Sequence, residues 1–246
     1  NGSLETPFLI KTPAQLAAVV TSSNSSKFTG KSFKLANDIN INDTSKANWK
    51  DSAHNWVWAD FRFIGTFDGD GHTVYGLYCN NTRFSGLVSM LTEGGSIHNV
   101  KLKNSYIRGY ESAGGIVGYV YGHYTLSPAT VSYCSVDNTV IEGSAKQIGG
   151  IVGGCNDIGL TVTDCSVTKS KITSSNADNP NLASGIIGYG WGGTKKAINC
   201  FTDDSVNPVT ATTDKASFDV NDTFVDYTKV YTCATKNFDA EGVTYL

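Results

Sequence analysis

The chain has 246 residues, enough for one large domain or two small ones with a sizeable core. Its net charge of −3, with no basic run longer than Lys195-Lys196, argues against nucleic acid or an anionic membrane as a partner, because both need clustered Lys and Arg. Only 17% of residues are charged, while Gly numbers 26 and Pro 5, a balance that fits many tight corners rather than disorder.

In chain order, Asn1-Gly2-Ser3 reads either as an engineered start or as the start of a mature chain after removal of a leader, and leaves localisation open. Thr12-Pro13-Ala14-Gln15 is a capping-box pattern with Pro in the first helical position, so a short helix is expected over 13–22, lying across the first coil. Phe33 to Ile41 alternates as a strand with Phe33 and Leu35 on one face. An aromatic, polar insertion follows at 47–63, with Trp49, Trp56 and Trp58 as an aromatic patch that either binds or packs the insertion down. Asp68-Gly69-Asp70-Gly71 resembles the start of a Ca²⁺ loop but lacks its downstream Glu. A tight turn is the better reading, with Asp capping the backbone, Gly taking positive φ and His72 as a hydrogen-bond donor in the corner.

The main signal is self-similarity. Gly114-Gly115-Ile116-Val117-Gly118 returns as Gly149-Gly150-Ile151-Val152-Gly153 and as Ser184-Gly185-Ile186-Ile187-Gly188, with a degenerate copy at Ser85-Gly86-Leu87-Val88-Ser89. A second element follows each copy: Val131 to Val136, Val162 to Val167, Ala197 to Thr202, and Ile97 to Leu102 in the first repeat. A third apolar slot holds Ile107, Ile141 and Ile172. These runs are too short for helices and carry no helical period. Such units cannot bury an apolar face alone, but stacked coils can.

The expected fold is therefore all-β: a parallel β-helix (solenoid) with a short N-terminal capping helix. One structural domain would comprise a cap and first coils at 1–83, four regular repeats at 84–206, and a C-terminal coil at 207–246. In that tail, Val230 to Cys233 and Val243 to Leu246 are candidates for the last coil and a closing strand. Val100, Cys134, Cys165 and Cys200 would form one interior ladder, and Ile107, Ile141 and Ile172 another. A disulfide within the Cys ladder is possible on distance, but in-register side chains suit the bridge poorly, which favours stacked free thiols.

Little in the chain carries catalytic chemistry. There is no H-E-x-x-H, no G-x-S-x-G and no C-x-x-C, so no catalytic residue, metal site or cofactor is assigned. A glycoside hydrolase would need paired carboxylates. Asp157, Asp164 and Asp203-Asp204 are candidates, with no matching acid on a neighbouring coil. Binding is the better expectation. If Ile116, Gly118 and Val120 face inward, Tyr119 and Tyr121 face out. The equivalent slots are Gly154 and Asn156 one coil on, then Tyr189 and Trp191. Aromatics flanking a small polar floor, with Asn156 and Asp157 nearby, suit stacking on a sugar ring. The opposite strand parity would bury the rings instead.

Four segments also resemble, in order, bacterial surface proteins that carry GLUG-type repeats. They are Pro7-Phe8-Leu9-Ile10 with its helix, Phe33 to Ile39, Gly65-Thr66-Phe67-Asp68-Gly69-Asp70-Gly71-His72-Thr73, and the Gly-Ile-Val-Gly copies, together covering about residues 7–206. The resemblance implies a right-handed parallel β-helix within a larger exported protein, secreted or on a bacterial cell surface. Such modules occur in adhesins and beside peptidases that cleave immunoglobulin A. It carries no agreed catalytic residues. The insertion at 47–63 and the tail after 206 depart from the family pattern. The functional expectation is a non-catalytic module for adhesion or binding to a glycan or host glycoprotein. A polysaccharide-active lyase or hydrolase, or a passive spacer, are the alternatives.

Overall fold

The computed structural model describes residues 1–20, 28–56, 62–123, 125–143, 147–174, 183–190, 193–203, 225–228 and 231–233, the last two stretches and residues 81–82 as backbone alone. Residues 21–22 of the expected helix, Trp58, Trp191, the boundary at 206/207 and the closing strand at 243–246 lie outside the described residues.

The chain is a parallel β-solenoid. One sheet stacks eight strands in chain order: Phe8–Ile10, Ser32–Leu35, Thr66–Asp68, Ser96–His98, Ala129–Ser132, Leu160–Thr163, Lys195–Ile198 and Val225–Thr228. A second stacks seven, from Ile39–Asn40 through Lys101–Lys103 and Ser135–Asp137 to Tyr231–Cys233. A third contains the long strands Tyr78–Ser85 and Tyr106–Gly114, and a fourth runs from Arg62–Phe63 through Val117–Tyr121 to Ile187–Gly190.

In-register stacking builds the core from ladders. In the first sheet Phe33, Phe67, Ile97, Val131, Val162 and Ala197 pair in succession, all buried. The column begins with large rings and ends in Ala197, and at the N-terminal end Phe33 packs against Phe28 and Phe63 at 5.1 and 6.1 Å. The ladder Cys79, Ile107, Ile141, Ile172 is fully buried. The Cys134–Cys165–Cys200 column is present as free thiols. Each Sγ donates to the carbonyl two residues earlier, at 3.2, 3.2 and 3.4 Å, and the Cys134 amide donates to Cys165 Sγ at 3.4 Å.

Two kinds of corner turn the coil. Before each Cys slot, Asn99, Tyr133, Asp164 and Asn199 take φ of 57, 53, 52 and 53°, a left-handed conformation most easily reached by Asn and Asp. Their amides bond along the stack: Asn99 Nδ2 donates to Asp68 at 3.1 Å, and Asn199 Nδ2 to Asp164. The Gly-Gly-Ile-Val-Gly copies form the other corner. The strand ends at Gly114, bends through Gly115-Ile116 and resumes at Val117. A Cβ on Gly153 would lie 2.5 Å from the Gly118 carbonyl oxygen and 2.5 Å from Ser112 Oγ, so coils this close leave room only for hydrogen.

The N-terminal end is capped as the sequence predicts. The helix spans Pro13–Val20 and buries Leu16, Val19 and Val20. Thr12 Oγ1 accepts from the Gln15 amide at 3.2 Å, while Gln15 Oε1 accepts from the Lys11 amide at 2.8 Å. The capping Gln thus reaches one residue further back than the standard capping box. The Asp68–His72 segment is a turn: Asp68 Oδ1 accepts from the Asp70 amide at 2.8 Å, Gly71 has φ of 76°, and His72 Nδ1 lies 3.3 Å from Asp38 Oδ1.

Candidate functional site

Strand Val117–Tyr121 pairs Tyr119 with Met90 on one side and Gly154 on the other, and Gly154 pairs with Tyr189. Arg62 pairs with Met90. The outward column of the fourth sheet therefore reads Arg62, Met90, Tyr119, Gly154, Tyr189. Val88, Val117, Val152 and Ile187, with Leu91 and Val120, face the core, all fully buried.

Tyr119 faces out as expected but is not exposed. It is 5% accessible, because Phe84 lies flat on it at 4.6 Å and 12°, and Met90 completes a small apolar cluster separate from the main core. Burial pushes its hydroxyl pKa well above the ordinary tyrosine value. Tyr121, two residues on, remains 39% exposed and carries the Arg62 guanidinium 4.1 Å over its ring. The floor expected at Gly154 is not open either. A Cβ there would meet Gln147 Oε1 at 2.8 Å, so the Gln147 side chain lies across it.

These residues bound a cleft of about 330 Å³. Phe84, Met90 and Tyr119 supply its apolar side, Arg62 with Tyr121 one flank, Arg83 with Glu111 another, and Gln147 and Asn156 the amides. Arg83 Nε donates to Glu111 Oε2 at 2.8 Å. The contact depends on an irregularity: pairing between Tyr78–Ser85 and Tyr106–Gly114 jumps from Gly109↔Thr82 to Ser112↔Phe84, leaving Tyr110 and Glu111 opposite Arg83. Such a two-against-one β-bulge re-aims a side chain, here Glu111, toward the partner strand. Asn156 Oδ1 accepts from the Gly122 amide at 3.0 Å.

The other expected site residues divide. Asn156 joins Tyr119 and Tyr121 at the cleft, whereas Asp157 and Tyr189 do not line it. Asp157 is half-buried in the turn after Val152–Cys155, and Tyr189 packs against the main core. Arg62, Arg83, Phe84, Met90, Glu111 and Gln147 were missed. Arg83 and Glu111 stand 28 residues apart, one coil step, so applying the repeat register to the charged residues would have paired them.

The second aromatic patch is corrected in part. Trp56 is 5% exposed and belongs to the core, its backbone amide donating to the Tyr78 carbonyl at 2.7 Å. Trp49 is half-buried, in a 3₁₀ turn over Trp49–Ser52, with its ring edge-on to Tyr78 at 6.0 Å. Tyr78 stacks on Tyr106 at 5.5 Å, and Lys50 Nζ sits 4.8 Å from the centre of the Tyr106 ring. A smaller cleft of about 260 Å³ lies there, but Asn138, Asn104 and Thr44 along it already bond to one another. The insertion is thus pinned by stacked rings. Among the described residues no group of three His, Cys, Asp or Glu side chains is placed to hold a metal ion, and no helix is long and apolar enough to cross a membrane.

Comparison with known proteins places residues 109–141 on the model of the GLUG motif. The chain is similar to Halomucin of Haloquadratum walsbyi, 32% identical over 120 residues, covering 48% of this chain and 1% of that protein. It is also similar to a protein of Evansella cellulosilytica named "Putative Gly-rich membrane protein", 28% identical over 149 residues, or 58% of this chain and 15% of that one. The chain therefore spans only a small part of these curated relatives. Among solved structures it resembles a "putative immunoglobulin A1 protease" from Bacteroides ovatus, with a TM-score of 0.53 and 16% identity over 95% of this chain and 77% of that one, a likeness of fold alone. The match runs from Gly109, within the long strand Tyr106–Gly114, through the glycine corner and the Cys134 turn to Ile141, so the chain is a β-solenoid with a GLUG motif at residues 109–141.

Proposed function

We propose that this chain is a non-catalytic repeat module of a larger surface protein and binds a saccharide in the cleft beside Tyr121. One observation carries the reading. The cleft combines an exposed aromatic ring under a guanidinium, an apolar side and two amides, the mixture that sugar rings require: a face to stack on and polar groups for the hydroxyls. The names of the relatives, a halomucin and a Gly-rich membrane protein, support a place on a cell surface or in a secreted layer. A glycan or host glycoprotein is the partner this reading implies.

Among the described residues that line the cleft there is one carboxylate, Glu111, already bonded to Arg83. Glycoside hydrolysis uses two facing carboxylates, so the site supports binding over turnover. The test is a glycan array followed by titration calorimetry, comparing the wild type with Tyr121→Ala. The variant should bind about 3- to 10-fold more weakly, the order of one lost aromatic stacking contact. A wild type that binds no saccharide would leave the spacer role, and turnover of any polysaccharide would overturn the non-catalytic reading.

A further inference from the structure

The geometry points to an acidic saccharide, one carrying a carboxylate or sulfate on the ring, as the ligand of this cleft, with Arg62 as the residue that selects it. The inference rests on the saccharide reading above and adds the charge of the ligand.

The flanking cations differ in state. Arg83 is neutralised by Glu111 at 2.8 Å. Arg62 is exposed and lies 4.1 Å over the Tyr121 ring, and among the described residues no carboxylate is within ion-pair distance of it. A ring face beneath a guanidinium stabilises the cation without occupying its N–H groups. Arg62 therefore keeps a fork of donors whose shape matches a carboxylate or a sulfate. Among the described lining residues Glu111 is the sole carboxylate, so Arg62 and Arg83 leave one positive charge in excess there.

The amides point the same way. Asn156 uses its Oδ1 on the Gly122 amide, which leaves its Nδ2 hydrogens to donate, and among the described residues the Gln147 side-chain amide has no hydrogen-bond partner. The uncommitted polar groups of the cleft are thus mostly donors. A ligand rich in acceptors, with one anionic group, uses them best. A neutral sugar would leave Arg62 with only water and Tyr121.

The experiment measures affinity for a trigalacturonate (carboxylate) and a sulfated disaccharide (sulfate), each against its neutral counterpart, at low salt. The wild type should favour at least one anionic probe by ~10-fold or more, and the two arms identify which anion the fork accepts. Arg62→Gln should bring anionic and neutral probes to within about 2-fold. Glu111→Gln removes the opposing charge and should strengthen anionic binding about 3-fold or more, a gain that misfolding cannot imitate. Tyr133→Ala, an exposed ring at another corner, should change nothing. Equal affinity for anionic and neutral probes, or an anionic preference that Arg62→Gln leaves intact, overturns the acidic-ligand inference while the saccharide reading stands. No binding of either class overturns both.

Discussion

Phe84 and Tyr119 stack face to face at 4.6 Å although they lie on different sheets. The glycine corner makes this possible. Phe84 is the penultimate residue of Tyr78–Ser85, before the bend, and Tyr119 is the middle residue of Val117–Tyr121, after it and one coil on, so the two outward rings fold onto each other across the angle. The pair converts a tyrosine expected at the surface into a satellite core and moves the exposed aromatic surface to Tyr121.

A mutational contrast follows from that division. Tyr119→Ala empties a buried ring site and should cost about 3 kcal/mol in urea denaturation, the lower end for aromatic-to-alanine changes. Tyr121→Ala removes an exposed ring and its contact with Arg62, and should cost no more than about 1 kcal/mol. Equal costs would show that the two rings share one environment.

The corner glycines give a second contrast. Gly153→Ala places a methyl 2.5 Å from the Gly118 carbonyl, a backbone atom that cannot rotate away. A loss of about 1–3 kcal/mol and a displaced coil are expected. Gly159→Ala meets the Pro128 side chain at 3.2 Å and the Thr194 carbonyl oxygen at an ordinary 3.6 Å, and should cost much less than Gly153→Ala. Thermal melts of the two variants decide the matter.

The scaffold was legible because stacking repeats the same physics every coil. The periodic Gly corners, the Cys134–Cys165–Cys200 column and the Ile107–Ile141–Ile172 ladder each declare themselves by recurrence. The site was only half legible for the same reason. Tyr119, Tyr121 and Asn156 sit in recurring slots, whereas Arg62, Arg83 and Glu111 occur once each. Glu111 meets Arg83 inside a bulge, so the 28-residue coil step, not a recurring residue type, is the one sequence signal that links them. Trp56 was ambiguous because a tryptophan in an insertion can pack inward as readily as outward, and here it packs inward.

Alkaline pH should weaken the fold. Burial raises the Cys155 thiol from 9.0 to about 12, with nearby Lys195 pulling only partly the other way. The folded pKa lies above the unfolded one, so this stability is complete below pH 9 and is lost as pH rises toward 12. The slope should be about 1.4 kcal/mol per pH unit in that window, since unfolded chains ionise the thiol and folded ones do not. Buried Tyr119 acts with the same sign. Urea midpoints from pH 8 to 11 should fall less steeply for Cys155→Ala than for the wild type, and parallel curves would place the effect elsewhere.

The ladders set the last expectation. Ile141 is fully buried and pairs with Ile107 below and Ile172 above, so its methyl groups contact the same chemistry on both sides. Ile141→Val should cost about 0.5–1.5 kcal/mol and Ile141→Ala about 2–5, because stacked neighbours held by sheet hydrogen bonds cannot close the gap. In a solenoid the damage is carried by the interfaces to adjacent coils, so a severe variant should also split the unfolding transition. A lower denaturant slope for Ile141→Ala, with the transition no longer coincident by fluorescence and circular dichroism, would show the array coming apart at that coil. A single unchanged transition would show that the solenoid unfolds as one unit in spite of its repeats.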